Sequence, residues 1–316
     1  MKNYGLMRFK TATVKNFTSD FGIRIRRYIN PVLRPILRAV TKGRTHIDRY
    51  PALPKGRPYI FVATHGFSED IIATLATIDR NVYVLFGTTD QLEHNPQVYA
   101  AWLNGFIYVD RMNKESRNIS VMKMERVLKS STSVLIFGEG GFNNTENLLC
   151  QRLFAGPYLL AQNTGVQVVL VEPFYEFGSR DIYMNVGNLI DLTKYENKNE
   201  ALAVLRDNIA TLVYENIERH ASHLTRCEMG SDPRMDYMEQ RRLEYLKNKW
   251  HRDVWKEELT VYRSPKEREH PAILESMEKI IITKHNAAIM APILNRLIEE
   301  KRYDFFAYME ANWDKS

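Results

Sequence analysis

The chain has 316 residues, of which 44% are hydrophobic, and a formal net charge of +6. This length and composition suit one large globular domain with a substantial core, or such a domain with an appendage. The two cysteines, Cys150 and Cys227, are too few and too far apart for a disulfide framework, which favours a reducing cytoplasm. No run approaches the ~18 apolar residues of a spanning helix, and residues 1–15 lack the apolar core of a secretory signal. We therefore expect a chain that does not cross a membrane by itself.

The positive charge is concentrated in the N-terminal segment. Residues 1–50 contain twelve Lys or Arg against Asp20 and Asp48, a net of +10, which leaves −4 for the remainder. Such a segment favours a polyanionic partner, either a nucleic acid or an anionic membrane. Large apolar residues recur in it at steps of three or four, namely Phe17, Phe21, Ile25, Tyr28, Val32, Ile36 and Val40.

This spacing indicates a basic amphipathic helix, which we expect to be broken near Pro31 and Pro35. Its apolar face can lie in a bilayer interface, with arginines at the lipid head groups. It can equally pack on the core of its own domain, and the pattern leaves both possibilities open. The arginines between the apolar positions are Arg24, Arg27, Arg34 and Arg38.

From residue 58 onward, short apolar runs alternate with helical stretches. The predicted strands are YIFVA, NVYVLFG, GFIYV, SVLIFG, VQVVLVEPF and DIYMNVG, and the predicted helices are 69–78, 95–103, 116–130 and 152–164. Strands that are apolar on both faces and separated by helices predict an α/β fold with a mostly parallel sheet flanked by helices. A long amphipathic helix ending at His220 is expected to close this domain.

The composition changes again after about residue 224. GSDPRMDY has the composition of a linker, and a charged, aromatic-rich helical region follows it. We therefore divide the chain into a basic amphipathic membrane-surface segment, 1–44, an α/β domain, 45–223, and a helical C-terminal extension, 224–316. The sequence assigns no role to the extension, whose Trp250, Trp255, Phe305 and Phe306 could cover the sheet, a partner or a membrane.

Polar residues follow four of the predicted strands directly, and ligands gather at the carboxyl ends of strands in open α/β sheets. The first site is His65 with Asp70, where an aspartate could hold one nitrogen of an imidazole that takes a proton at the other. The second is Asp110 with Arg111, the third is the loop Gly138, Glu139, Gly140 and Gly141, and the fourth is Pro173, which we expect to break its strand.

Each site also has a plain structural interpretation. His65 alone could be a satisfied core histidine, Arg111 a partner in a surface ion pair, and the glycines a turn. The glycine loop does not indicate nucleotide binding, because it lacks both the G-x-G-x-x-G spacing and a following Lys-Ser/Thr.

Taken together, the four sites resemble the motifs of the glycerolipid acyltransferase family, which includes bacterial 1-acyl-glycerol-3-phosphate acyltransferases. The resemblance runs from about residue 45 to 220. His65 and Asp70 match the H-x-x-x-x-D motif, GFIYVDR matches the second motif, FGEGG stands at F-P-E-G-T, and Pro173 matches the proline of the fourth. The chain departs from the family in having Thr64, Gly138 and Gly141 where asparagine, proline and threonine are common.

The resemblance implies acyl transfer from a thioester to an alcohol, with His65 as the base and Asp70 as its orienting carboxylate. It implies that Arg111, Asp110, residues 138–141 and Pro173 form the acceptor site, with Arg111 and the loop amides holding phosphate. The Arg-Ser that often follows this loop is replaced by Phe142 and Asn143, which leaves Arg111 as the only cation inside the four motifs.

The expected partners are a membrane lipid surface on its cytoplasmic inner face, a lysophospholipid acceptor, and an acyl donor carried by coenzyme A or acyl carrier protein. We expect no cofactor, no metal and no nucleic acid. Alternatives are glycerol-3-phosphate or another lysolipid as acceptor, and a non-catalytic lipid-binding member of the fold. A zinc site would need His220, His223 and Cys227, which share a helix face, with a fourth ligand from elsewhere. A solvated helix end is the preferred interpretation of that group.

Overall fold

We describe the fold from a computed structural model. It describes residues 13–221 except 16, 19, 41–43, 67–69, 88–104, 112, 142, 144–148 and 176–180. The chain divides into two compact units, Met1–Val254 and Trp255–Ser316, and every described residue belongs to the first. The predictions for helix 95–103, for the linker and for the C-terminal extension lie outside the described residues.

The described part contains seven strands that form one sheet. Their bounds are β1 Thr45–Arg49, β2 Ile60–Ala63, β3 Val82–Gly87, β4 Phe106–Val109, β5 Ser133–Phe137, β6 Val168–Tyr175 and β7 Ile182–Ile190. The strand order is β1-β7-β6-β2-β5-β3-β4, and every neighbouring pair is parallel except β6 and β7. The predicted α/β class and mostly parallel sheet are confirmed.

Helices cover both faces of this sheet. They are α1 Asp20–Val40, α2 Asp70–Thr77, α3 Lys114–Lys129, α4 Gly156–Thr164 and α5 Lys198–His220, with a short 3-10 turn at Leu192–Lys194. Successive residues of β2 point to opposite faces: Ile60 and Val62 join the core under α3, α4 and α5, whereas Phe61 and Ala63 join the core under α2. The continuous apolar runs of the sequence follow from this double burial.

Pro173 does not break β6, contrary to our expectation, because the strand continues to Tyr175. The parallel ladder between β2 and β6 ends at the pair Ala63 and Val171, so Pro173 lies beyond it. On the other side Pro173 pairs with Met184 of the antiparallel β7. The proline therefore occupies a stretch of strand where β2 no longer requires an amide donor.

Helix α1 is continuous through Pro31 and Pro35, so the predicted break is wrong. Both prolines lie on the exposed side of the helix. A proline inside a helix costs about 3 kcal/mol. Here the packing of the opposite side of the helix offsets that cost, because Ile23, Leu33 and Leu37 are buried in the domain core.

The apolar series picked out in the sequence is a second, outward-facing stripe on α1. We call it the α1 stripe, and its members are Phe21, Ile25, Tyr28, Val32 and Ile36. Tyr28 is 82% exposed and Val32 is 65% exposed. The helix thus packs on its own core through other residues and presents these apolar side chains outward. Contact of this outward face with a bilayer stays a prediction.

Two exposed arginines of α1 also bond the domain. Arg27 donates to the Ser130 carbonyl, and Arg38 donates to the Ala76 carbonyl at 3.2 Å. Arg24 is exposed as well. No helix in the described part of the chain is long and apolar enough to span a bilayer.

Candidate active site

His65 and Asp70 meet where β2 ends and α2 begins. His65 Nδ1 lies 2.7 Å from Asp70 Oδ2, and the Gly66 amide donates to the same oxygen at 3.0 Å. Asp70 is the first residue of α2, where the helix dipole favours a negative charge. Its side chain is fully buried, whereas that of His65 is 14% exposed. With Nδ1 held as a donor, Nε2 is the nitrogen that can take a proton from an alcohol.

The His65 ring lines a cavity of about 380 Å³. Most of its wall is apolar, including Leu85, Phe86, Val121, Met124, Ile136 and Phe154. Among the described residues of this wall, the cationic side chains are Arg111 and Arg117. A histidine with an aspartate behind it, an apolar wall and nearby cations is an arrangement suited to an amphiphilic, anionic substrate.

Arg111 reaches the cavity across the end of the neighbouring strand. A Cβ atom on Gly87, the last residue of β3, would lie 2.3 Å from Arg111 Nε and 2.5 Å from Cζ. Gly87 pairs with Val109 in the β3–β4 ladder, two residues before Arg111. The absence of a side chain at Gly87 therefore leaves the space in which the guanidinium lies.

Asp110 has a different position from its neighbour. Its amide donates to Ser116 Oγ at 2.8 Å, and its carbonyl accepts from the Asn113 amide at 3.2 Å. Asn113 in turn caps α3 through its side chain. The backbone of Asp110 thus fixes the turn from β4 into α3, and Asp110 is not among the described residues that line the cavity.

The glycine loop is tied to the strand ends by its backbone. The Gly138 amide donates to the Ala63 carbonyl and the Gly140 amide to the Phe137 carbonyl, both at 3.0 Å. These two amides are therefore engaged within the fold, and the expectation that they hold phosphate is not met. Gly140 still lines the cavity, and Gly141 is buried.

Glu139 is buried beneath this loop, with 1% exposure, and is absent from the described cavity wall. The sequence predicted Glu139 in the acceptor site, whereas the structure places its side chain beneath the loop. Burial raises the pKa of Glu139 to about 8, although the Cys150 thiol and the Gln151 backbone lower it in part. A carboxyl group with this pKa holds its proton at neutral pH.

Sequence reasoning missed Glu172, a buried carboxyl group on β6. The Thr64 hydroxyl, one residue before His65, donates to Glu172 Oε2. Burial raises the pKa of Glu172 well above its ordinary value. A glutamate inside the apolar run VVLVEPF and a threonine at the usual asparagine were the two signals that could have suggested this pair.

Stability should fall as the pH rises through the neutral range. The folded state keeps the Glu139 proton up to about pH 8, whereas the unfolded chain releases it above the ordinary pKa of 4.5. The stabilisation that comes from the Glu139 proton is thus complete below pH 4.5 and lost towards pH 8. We expect Glu139→Gln to reduce the decline in unfolding free energy between pH 5 and pH 8 by on the order of a few kcal/mol.

Urea denaturation at a series of pH values measures this decline. Glu196→Gln is the matched control, because it removes an exposed carboxylate. Its stability profile should run parallel to that of the wild type. A Glu139→Gln profile that is also parallel would show that Glu139 does not hold its proton in the folded state.

His220 packs against the sheet edge and is not a solvated helix end, which corrects our preferred interpretation. Its ring stacks on Tyr183 with centroids 3.6 Å apart, and its Nε2 contacts Asp48 Oδ2. His223 and Cys227 lie outside the described residues. Within residues 13–221, where described, no group of three or more His, Cys, Asp or Glu could hold a metal ion.

Comparison with known proteins agrees with the chemistry of the site. Residues 44–171 match the family model described as Acyltransferase. This segment contains His65, Asp70, Arg111 and the glycine loop. This part of the chain is thus similar to the acyltransferase family, and the resemblance inferred from the sequence motifs is confirmed.

The fold is similar to the crystal structure of the 1-acyl-sn-glycerophosphate (LPA) acyltransferase PlsC from Thermotoga maritima. The sequences are 15% identical, the match covers 64% of this chain and 84% of that one, and the TM-score is 0.49. The comparison with curated proteins found no match.

Proposed function

We propose that the protein transfers a fatty acyl group from an acyl thioester to the hydroxyl of a lysophospholipid, with lysophosphatidic acid as the acceptor. The observation that carries this proposal is the contact of 2.7 Å between His65 Nδ1 and Asp70 Oδ2 beside an apolar cavity. The match of residues 44–171 to the acyltransferase family model supports the reaction class.

The reaction needs no covalent enzyme intermediate. His65 Nε2 takes the proton of the acceptor's hydroxyl group while the hydroxyl oxygen attacks the thioester carbonyl carbon. The tetrahedral intermediate then expels the thiolate, the carbon–sulfur bond breaks, and the proton on His65 passes to the sulfur. Asp70 keeps Nδ1 protonated and stabilises the imidazolium that exists between the two steps.

The apolar cavity wall suits an acyl chain, and Arg111 suits the acceptor's phosphate. A charge-assisted contact of this kind favours lysophosphatidic acid over an uncharged lysolipid. Coenzyme A and acyl carrier protein both present the thioester that the mechanism requires, and no further cofactor enters the reaction.

The test is product analysis with the purified full chain. Labelled acyl-coenzyme A and acyl-acyl carrier protein are each incubated with lysophosphatidic acid, glycerol-3-phosphate, lysophosphatidylcholine and monoacylglycerol. We expect phosphatidic acid, identified by mass, to be the main product. Transfer only to glycerol-3-phosphate, or only to an uncharged lysolipid, would identify that molecule as the acceptor in place of lysophosphatidic acid. No transfer to any acceptor would favour a lipid-binding member of the fold.

We also propose that the protein works as a peripheral protein on the cytoplasmic inner face of the membrane, held there by the α1 stripe. Its five apolar residues and the exposed Arg24 suit a bilayer interface with anionic head groups. Binding to the membrane surface brings the protein, with its His65–Asp70 pair, close to an acceptor that resides in the bilayer.

Changes on the α1 stripe should release the protein from vesicles. We expect Tyr28→Glu with Val32→Glu to weaken sedimentation with anionic vesicles at least about tenfold, because each large apolar side chain contributes about 1.5–3 kcal/mol when buried. Met122→Glu, at an exposed apolar position of α3, is the control and should bind normally. Deletion of α1 is a poorer test, because Ile23 and Leu37 belong to the core. Unchanged sedimentation of the double variant would exclude the stripe as the binding surface.

A further inference from the structure

Arg117 lies beside Arg111 although it stands outside every sequence motif. It occupies the first turn of α3, which begins at Lys114, and it lines the same cavity as His65 and Arg111. Arg117 Nη1 donates to the Arg111 carbonyl at 2.5 Å. This bond fixes the second guanidinium against the backbone that carries the first one.

A phosphomonoester acceptor requires more positive charge than Arg111 alone supplies. It carries close to two negative charges near neutral pH and is bound best by paired, charge-assisted hydrogen bonds. The neutral Phe142 and Asn143 replace the usual Arg-Ser after the glycine loop, and the amides of Gly138 and Gly140 are engaged by backbone carbonyls. The remaining charge must be matched by another side chain at the cavity.

The carboxyl groups beneath the cavity repel a bound anion only where they are ionised and not paired with a cation or a donor. Asp70 is paired with His65 at 2.7 Å. Burial raises the pKa of Glu139 to about 8, so this carboxyl group is mostly protonated near pH 7, and burial also raises the pKa of Glu172 well above its ordinary value. Among the described residues of the cavity wall, Arg111 and Arg117 are the side chains whose permanent positive charge attracts an anion.

We propose that Arg117 is the second cation of the acceptor site and that Arg111 and Arg117 bind the acceptor's phosphate together. This inference rests on the proposed acyl transfer and assigns its specificity for phosphate-bearing acceptors to a residue outside the family motifs. A guanidinium offers five N–H donors, so the bond to the Arg111 carbonyl leaves Arg117 further donors for phosphate oxygens.

The alternative role for Arg117 is purely structural, since it also supports the turn that carries Arg111. Arg117→Gln separates the two roles, because the amide can still donate to the Arg111 carbonyl but has no charge. Arg117→Lys keeps the charge and loses the planar fork. Lys114→Gln is the matched control, because it removes an exposed charge from the same helical turn and Lys114 is not among the described residues of the cavity wall.

The experiment compares kcat/KM for lysophosphatidic acid and for monoacylglycerol of the same chain length. We expect Arg117→Gln to lose about ten- to a hundred-fold with the phosphate-bearing acceptor, mainly through KM, and to change little with the uncharged one. Arg117→Lys should recover part of the loss, and Lys114→Gln should behave as wild type. In the double variant with Arg111→Gln the two losses should not add, because both side chains bind one phosphate.

Several outcomes would overturn the inference. Equal losses of kcat/KM on both acceptors would show that Arg117 has a structural role only. Wild-type kinetics of Arg117→Gln would show that its charge does not bind the acceptor. Both outcomes leave the proposed function standing. If the wild type transfers to no acceptor, the proposed function fails, and calorimetric binding of glycerol phosphate to the full chain then tests the arginine pair alone. Binding that Arg117→Gln does not weaken would refute the pair.

Discussion

Replacement of His65 by alanine is expected to lower kcat for acyl transfer roughly a hundred- to ten-thousand-fold, the range of a positioned general base. The hydroxyl of the acceptor has no other described base at the cavity, because Asp70 is fully buried and bonded to His65. The fold should persist, since the ring lines the cavity, where it lies beside Phe137 with ring centroids 4.8 Å apart.

Steady-state kinetics with a fixed acyl thioester measure this loss, and the thermal unfolding midpoint checks the fold. His46→Ala is the matched control, because His46 also bonds an aspartate, Asp181 at 3.1 Å, but lies on the edge strand β1. The control should keep wild-type turnover. Near wild-type turnover of His65→Ala would exclude the proposed mechanism.

The contact between His65 and Asp70 was predictable because its signal is local. His65 and Asp70 are five residues apart, and a strand end followed by a helix start brings them together. The strands were predictable for a similar reason, since burial on both faces leaves a continuous apolar run. Strand β1 was missed because THIDR has no such run, and it is defined by its pairing with β7 more than 130 residues later.

Other features of the site depend on contacts that sequence spacing does not encode. Gly87 and Arg111 are 24 residues apart, and only the β3–β4 pairing brings the glycine beneath the guanidinium. Glu139 was placed in the acceptor site because a motif position does not reveal burial. The apolar period of α1 identified a helical face correctly, but a period alone does not say whether that face meets the core or the solvent.

Asp70→Asn should lower kcat roughly a hundred- to ten-thousand-fold, while the KM for the acyl thioester changes little. Two donors, His65 Nδ1 and the Gly66 amide, converge on Asp70 Oδ2. An asparagine that keeps its oxygen there loses the charge that stabilises the imidazolium. An asparagine that turns its amide nitrogen there needs Nδ1 as an acceptor, which moves the proton to Nε2 and removes the base.

The tautomer can be measured directly. In the wild type, nitrogen-15 NMR of labelled histidine should find the His65 proton on Nδ1, and in Asp70→Asn a fraction should shift to Nε2. Asp48→Asn is the matched control, because it alters another His–Asp contact, with His220, at the far edge of the sheet. That variant should keep wild-type kcat. If Asp70→Asn retains both the Nδ1 tautomer and wild-type turnover, Asp70 serves only to start α2, and His65 acts without an orienting carboxylate.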